Sequence, residues 1–307
     1  MMSISKMRAE AWKILRGKWF LRLLIAGVLL QIIAGSVNLA IKHALKSVSI
    51  TLAGDFVTEQ VKAMSQGISY SLPTMKAYGW MIGGACLQMF VAYVFGAIVV
   101  FGFMGILLKA RDQDESRWLA SSLSGFARPL DVAWLMALMN ILVMLVMLAC
   151  AVPLAGVSAL LISHFGYEIN SAAGIAALVL SVGLSALCSV PLIYAYRQAW
   201  FIKNEDPSLS ACECLRRSRR LMKGHKMSAF LLDLSYTGWI ILVLLLLGTQ
   251  ALFAVGKSFG AMSAAISFAV SFLAFYALLK VMFSMLLSRA VFYRELQQSA
   301  AENTANA

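Results

Sequence analysis

The stretch VAWLMALMNILVMLVMLACAVPLAGVSALLI, residues 132–162, contains no aspartate, glutamate, lysine or arginine. A hydrocarbon core about 30 Å thick is crossed by roughly 20 apolar residues of helix, so the stretch is longer than one span requires. It also lacks the alternation of polar and apolar residues that membrane β-strands show. The stretch therefore predicts a transmembrane helix that tilts, kinks or extends beyond the bilayer.

Five further stretches have the same character. In the whole chain of 307 residues, 61% are hydrophobic and 13% are charged, which excludes an ordinary soluble domain. We predict six spans, at residues 20–41, 77–108, 132–162, 171–202, 229–255 and 263–287. The predicted fold class is an all-α, polytopic membrane helical bundle. It forms a single domain over residues 1–298, followed by a disordered cytoplasmic tail at 299–307.

Lysine and arginine are unevenly distributed between the loops of this arrangement. Eighteen of them lie in the N-terminal segment, the second loop, the fourth loop and the tail, and five lie in the other loops. Since positive residues are retained on the cytoplasmic side, this split predicts that both termini are cytoplasmic. It also explains the net charge of +12 without nucleic acid as a partner.

The fourth loop contains DPSLSACECLRRSRRLMKGHK, residues 206–226, which predicts one amphipathic helix. Ser210 and Glu213 have the spacing of a capping box, and Gly224 supplies a stop. Apolar and small residues fall on one face at helical spacing. The opposite, basic face carries Arg216, Arg217, Arg219, Arg220 and Lys223. The apolar face either enters the headgroup region or packs on the bundle, and the basic face predicts the bilayer and its anionic inner-leaflet lipids as partners.

Similar short segments precede the other pairs of spans. KILRGK, residues 13–18, matches RLMKGH, residues 220–225, and SSLSGF at 121–126 is a weaker copy. The ends of two pairs are also alike, RQAWF at 197–201 and RAVFY at 289–293. Internal repeats are common in membrane folds. The pattern predicts three transmembrane hairpins, each preceded by a cytoplasmic amphipathic helix.

These segments carry a resemblance to a known family. SRRLMKGHKMSAFLLDLSYTGW at 218–239, with AWKILRGKW at 11–19 and RAVFYREL at 289–296, resembles an uncharacterised family of bacterial integral membrane proteins, the domain of unknown function nine-seven-five. The resemblance implies six spans in the cell inner membrane of a bacterium, and no reaction. A looser similarity to the membrane domain fused to some glycerophosphodiester phosphodiesterases implies a lipid-related function.

Three ionisable residues fall inside the predicted spans: Asp233, Lys280 and Arg197. Such residues are costly in a bilayer and are usually paired or functional. Asp233 lies seven residues after Lys226, and Lys280 lies nine before Arg289, which predicts similar depths and an ion pair between them. Arg197 either joins this cluster or extends to the headgroups. The cluster is either a structural ion pair or a substrate or proton site.

Six glycines fall in the second predicted span: Gly79, Gly83, Gly84, Gly96, Gly102 and Gly105. Gly79 and Gly83 have GxxxG spacing, and Gly84 extends the small surface. This pattern predicts close packing of two helices.

The sequence contains no recognisable catalytic or metal-binding pattern. The pair Cys212 and Cys214, with His225 nearby, does not supply the four ligands of a zinc site. We therefore expect no enzymatic activity, no metal and no cofactor. The favoured function is that of a scaffold, an accessory subunit or a lipid-interacting factor, whose membrane-protein partner is unknown. The alternative is a small transporter or permease that uses the charged cluster, with helix breaks at Pro153 and Pro191.

Overall fold

The computed structural model describes residues 3–65, 73–164, 172–255 and 261–305. Within these ranges the chain forms ten α-helices, a short 3-10 helix at Ser124–Ala127 and no strand. The α-helices are α1 (Ile4–Arg16), α2 (Trp19–Ser65), α3 (Pro73–Arg111), α4 (Trp118–Ser122), α5 (Pro129–His164), α6 (Ala172–Tyr196), α7 (Ala199–Glu205), α8 (Ala211–Leu221), α9 (Lys226–Val255) and α10 (Ala261–Ala305). The predicted all-α class is confirmed for this part of the chain.

Six stretches of the described helices are long and apolar enough to cross a membrane. They are Trp19–Ala44, Ile82–Arg111, Pro129–Leu160, Val179–Glu205, Lys226–Leu246 and Phe268–Glu302. The chain is therefore a multi-pass membrane protein. The last stretch differs most from its predicted bounds, because α10 continues to Ala305 through residues that we expected to form a disordered tail from 299. Alanine and glutamate in this tail favour helix, which explains the continuation.

Each long helix packs against a neighbour in sequence: α2 against α3, α5 against α6, and α9 against α10. The links at 66–72, 165–171 and 256–260 lie outside the described residues, so the three hairpins stay a prediction. Short helices do precede three of the long ones, α1 before α2, α4 before α5 and α8 before α9.

The buried core lies where the short helices pack on the ends of the long ones. Phe101 of α3, Phe201 of α7 and Leu287 of α10 belong to one buried cluster there, together with residues of α1, α2, α5 and α8. We call this region the short-helix end. Away from it large apolar side chains face outward, as Met144 and Phe268 do at 72% and 75% exposure. This distribution is expected when the surrounding solvent is lipid rather than water.

Close helix approach occurs at Gly102, one of the glycines of the second predicted span, and not at Gly83 of the GxxxG pair. A Cβ atom on Gly102 would overlap the backbone oxygen of Ser122, so α3 and α4 approach through this glycine. A Cβ atom on Gly83 would meet nothing within 4 Å. The prediction of a close contact at Gly83 is therefore wrong, and the surroundings of Gly79 lie outside the described residues. The close packing predicted for this span is therefore present at Gly102, and the GxxxG spacing did not mark its position.

The predicted proline breaks are also absent from the described helices. α5 continues through Pro153 and α6 through Pro191. Membrane helices tolerate proline because neighbouring groups and local adjustments satisfy the freed carbonyl. The break in the fourth span comes instead at the turn Arg197–Gln198, between α6 and α7. The Gln198 carbonyl there accepts the Phe201 N–H at 3.1 Å, which starts α7.

Candidate functional site

Asp233 of α9 is the centre of a charged cluster at the short-helix end. Arg197 donates from Nη1 to Asp233 Oδ2 at 2.6 Å, and the Tyr194 hydroxyl donates to the same oxygen at 3.0 Å. Arg289 donates from Nε to Oδ1 and from Nη2 to Oδ2, both at 3.2 Å. One carboxylate therefore joins the end of α6, α9 and α10. We call Asp233, Arg197, Arg289 and Tyr194 the Asp233 cluster.

Lys280 does not belong to this cluster, so the predicted Asp233–Lys280 ion pair is wrong. The Lys280 Nζ lies 4.8 Å from the centre of the Tyr276 ring and 5.5 Å from that of Phe20. Nine residues of helix separate Lys280 from Arg289, which is a rise of about 13 Å. The depth comparison placed the helix end at Arg289, whereas α10 continues well beyond it. Arg289, rather than Lys280, therefore lies level with Asp233.

The Asp233 cluster is largely closed to its surroundings. The side chains of Asp233, Arg197 and Arg289 are 17%, 11% and 22% exposed. Two arginines share one carboxylate, and the Nε and Nη2 atoms of Arg197 are buried without a hydrogen-bond partner. The Arg197 guanidinium also lies 5.2 Å from the centre of the Tyr194 ring. A carboxylate whose oxygens are taken up by two arginines and a tyrosine is suited to holding helices together.

The two similar segments at 197–201 and 289–293 meet in the structure. Their first residues, Arg197 and Arg289, both bind Asp233. Their last residues, Phe201 and Tyr293, stack with ring centres 5.3 Å apart and an angle of 20° between planes. The resemblance between the segments therefore has a structural basis in this pair of contacts. Sequence reasoning missed Arg289 as a cluster member, although its match to Arg197 was the signal for it.

A second polar network surrounds Glu205, at the C-terminal end of α7. Glu205 Oε2 accepts the Tyr293 hydroxyl at 2.7 Å and the Gln297 Nε2 at 2.6 Å. Glu205 Oε1 lies 3.5 Å from Arg111 Nη2 of α3. This network ties the ends of α3, α7 and α10 together, so its geometry is that of a structural joint.

A buried lysine close by is also satisfied by the protein itself. Lys203 is 3% exposed, and its Nζ donates to the carbonyls of Pro207 at 3.0 Å and Leu209 at 2.6 Å. These bonds fix the turn between α7 and α8. Lys203 thus positions α8 rather than offering a free amine.

α8 is the predicted amphipathic helix, and Ser210 caps its N-terminus as predicted, whereas the Glu213 side chain pairs with Arg217 and does not complete the capping box. The Ser210 hydroxyl accepts the Glu213 N–H at 3.3 Å, and Gly224 has a φ of +84° in the turn that follows. The apolar face packs on the bundle: Cys214 is fully buried, and Ser218 Oγ donates to the Ala195 carbonyl at 2.9 Å. Of the two arrangements open from sequence, docking on the bundle is the one present.

The basic face of α8 points away from this contact. All five of its predicted residues are exposed, namely Arg216, Arg217, Arg219, Arg220 and Lys223. Arg217 pairs with Glu213 of the same helix at 3.1 Å, which leaves a strong net positive charge on this face. Burial raises the pKa of the Cys214 thiol, so this cysteine stays protonated and inert, whereas Cys212 is exposed on the surface. Among the described residues, no three His, Cys, Asp or Glu side chains are grouped as metal ligands would be.

The fold and these sites define a class: a multi-pass helical membrane protein with a closed ion cluster and a docked basic helix at one end. The chain belongs to the family described as Protein of unknown function (DUF975), whose model matches residues 1–300. It has no match among curated proteins or among solved structures. The family match agrees with the resemblance read from the sequence, and the looser similarity to glycerophosphodiester phosphodiesterase membrane domains is not shown.

Proposed function

We propose that this protein is a non-enzymatic scaffold or accessory factor of a bacterial inner membrane, which gathers anionic lipid headgroups through the basic face of α8. Both termini and α8 are then cytoplasmic, as the distribution of lysine and arginine predicts. The observation that carries the proposal is the separation of the two faces of α8, one buried against the bundle and one exposed with Arg216, Arg217, Arg219, Arg220 and Lys223.

Docking gives the basic face a fixed position on the protein. Because Cys214, Leu215 and Ser218 are held against the bundle, α8 does not need to enter the bilayer to stay folded. Its arginines are therefore free to face headgroups. Each basic residue close to an anionic surface contributes about 1 kcal/mol, so several together enrich anionic lipid around the protein.

The transporter alternative has one observation in its favour, the helix break at Arg197–Gln198 within the fourth span. Broken helices line many transport sites. Against it, Asp233 already accepts four hydrogen bonds from three side chains, and the cluster is mostly closed. Proteoliposomes that carry a proton flux abolished by Asp233→Asn, with the fold intact, would favour the transporter.

The proposed function is tested with the full chain in phosphatidylcholine bilayers that contain a minor fraction of phosphatidylglycerol. Spin-labelled lipids report the fraction of each lipid that the protein immobilises. We expect phosphatidylglycerol to be immobilised in preference, and salt to weaken the preference because the Debye length is about 8 Å at physiological ionic strength. Replacing the four arginines of α8 and Lys223 of the turn that follows by glutamine should remove most of this preference.

The matched control replaces the four arginines of α8 by lysine, which keeps the charge and changes the side-chain shape. This variant should retain the preference for phosphatidylglycerol. Equal immobilisation of both lipids by the unmodified protein would overturn the proposal, as would a glutamine variant that keeps the full preference.

A further inference from the structure

A lateral groove of about 470 Å³ lies between α9 and α10, with α1 across one end. Arg8 and Trp12 of α1 form that end, while Trp239 of α9 and Tyr276 and Lys280 of α10 line the walls. The volume is that of a small-molecule site, which ranges over about 300–1,000 Å³. We call this feature the α1/α9/α10 groove.

The walls of the groove are apolar and open sideways. Val243 and Val281 form a buried floor at 7% and 5% exposure, whereas Leu242 and Leu273 stand on its rims at 58% and 67%. The lining residues repeat at helical spacing, Trp239, Val243 and Leu246 on α9 and Leu273, Ala277 and Val281 on α10, so the groove runs along both helices. A groove that opens sideways between two membrane spans faces hydrocarbon chains.

Two cations lie in the groove without an acidic partner. Among the described side chains, neither Arg8 nor Lys280 has an ion-pair partner within 4 Å. The Arg8 guanidinium lies 5.1 Å from the centre of the Tyr236 ring, and Lys280 lies over Tyr276 and Phe20. Arg8 Nε is buried with no hydrogen-bond acceptor. The arginines of the Asp233 cluster, by contrast, share a carboxylate.

Lys280 lies beside the start of the first span. Phe20, against which it packs, is the second residue of α2 and so lies at the very start of the first span. Trp12, Trp239 and Tyr276 surround this level, and tryptophan and tyrosine are enriched where hydrocarbon meets headgroups. The cations therefore lie at the polar end of an apolar groove.

We propose that the α1/α9/α10 groove binds one anionic phospholipid of the surrounding membrane, with its phosphate between Arg8 and Lys280 and one acyl chain along the floor. A free phosphate would leave the apolar walls uncovered, and a lipid without net charge would leave the two cations uncompensated. The inference rests on the proposed function in that both involve anionic lipid at the short-helix end. It differs by naming one defined site that no residue of α8 lines.

The test is native mass spectrometry of the detergent-purified full chain, titrated separately with phosphatidylglycerol and with phosphatidylcholine. We expect one tightly bound phosphatidylglycerol and a preference of about thirtyfold, equivalent to about 2 kcal/mol for two basic residues at an anionic headgroup. Arg8→Gln with Lys280→Gln should remove most of the preference. Ala277→Phe, which fills the groove and keeps both charges, should weaken the binding of both lipids.

The matched control is Lys6→Gln with Lys13→Gln, which removes the same charge from exposed positions on α1 and should leave the preference unchanged. Arg8→Lys with Lys280→Arg keeps both charges and should keep the preference, and monodisperse elution checks folding of every variant. If the variant with Arg8→Gln and Lys280→Gln keeps its preference for phosphatidylglycerol, the proposed lipid site in the groove is wrong. If the glutamine variant of α8 then still loses lipid immobilisation in bilayers, the proposed function stands without it.

Discussion

Arg289 of α10 forms a bidentate pair with Asp233 of α9, in which Nε donates to Oδ1 and Nη2 donates to Oδ2, both at 3.2 Å. This bidentate geometry fixes the rotation of α10 relative to α9 as well as the distance between the two helices. Arg197 reaches the same carboxylate from the end of α6, so one acidic residue sets the relative position of three helices.

We expect Asp233→Asn to be the most destabilising single replacement in this cluster. It leaves two mostly buried arginines facing each other without a counter-charge, and breaking a buried ion pair in this way costs about 3–5 kcal/mol. Arg289→Met should cost less, about 1.5–3 kcal/mol, because a neutral Asp233–Arg197 pair remains. Thermal unfolding in detergent measures the order. Lys280→Met serves as the control, with a loss below about 1 kcal/mol.

Replacing the whole charged set tests whether the cluster is purely structural. We expect Asp233→Leu combined with Arg197→Met and Arg289→Met to recover most of the stability lost by Asp233→Asn, because apolar replacements of buried ion pairs are often neutral or stabilising by about 1–4 kcal/mol. The measurement is the Tm of the triple variant against the single ones. Additive losses would show that the three side chains do not act as a unit.

Part of this arrangement was predictable from sequence. Both ends of α8 could be predicted, because serine is a preferred N-cap residue and glycine readily adopts the left-handed conformation of the turn at Gly224. The partner of Asp233 was not predictable from depth, since depth depends on where α10 ends, and helix-forming residues beyond Arg289 conceal that point. The likeness of RQAWF and RAVFY would have given Arg289 as the counterpart of Arg197. The groove was not predictable, because Arg8 and Lys280 lie far apart in sequence and line one groove only through the packing of α1.

Gly102→Ala should destabilise the protein, because a Cβ atom there overlaps the Ser122 backbone oxygen and would displace α4 from α3. Overpacking of this kind typically costs about 1–3 kcal/mol. Gly83→Ala is the matched control on the same helix, since a Cβ atom there meets nothing and alanine favours helix by about 1 kcal/mol over glycine. Unfolding midpoints of the two variants should shift in opposite directions. A neutral Gly102→Ala would mean that α4 is only loosely held.

Tyr293→Phe isolates the hydroxyl contact to Glu205 from the stacking on Phe201. The ring contact is kept, while the hydrogen bond of 2.7 Å to a carboxylate is lost, at a cost of about 1.5–3 kcal/mol. Chemical or thermal unfolding in detergent measures the loss. Tyr276→Phe is the control, because the described contacts of Tyr276 are made by its ring, which phenylalanine keeps. Equal stability of Tyr293→Phe and the unmodified protein would show that Arg111 and Gln297 alone satisfy Glu205.

The orientation of the spans is testable with reporter fusions placed after Gly166 and after Gly260, two positions outside the described residues. Because eighteen lysines and arginines lie in the segments predicted to be cytoplasmic and five in the others, both fusions should report the periplasm. Fusions after Lys223, in the turn that follows α8, should report the cytoplasm and serve as the matched control. A cytoplasmic signal after Gly166 or Gly260 would contradict the six-span orientation. A periplasmic signal after Lys223 would place the basic face of α8 on the periplasmic side of the membrane, away from the inner leaflet. The proposed contact with anionic inner-leaflet lipids would then have no basis.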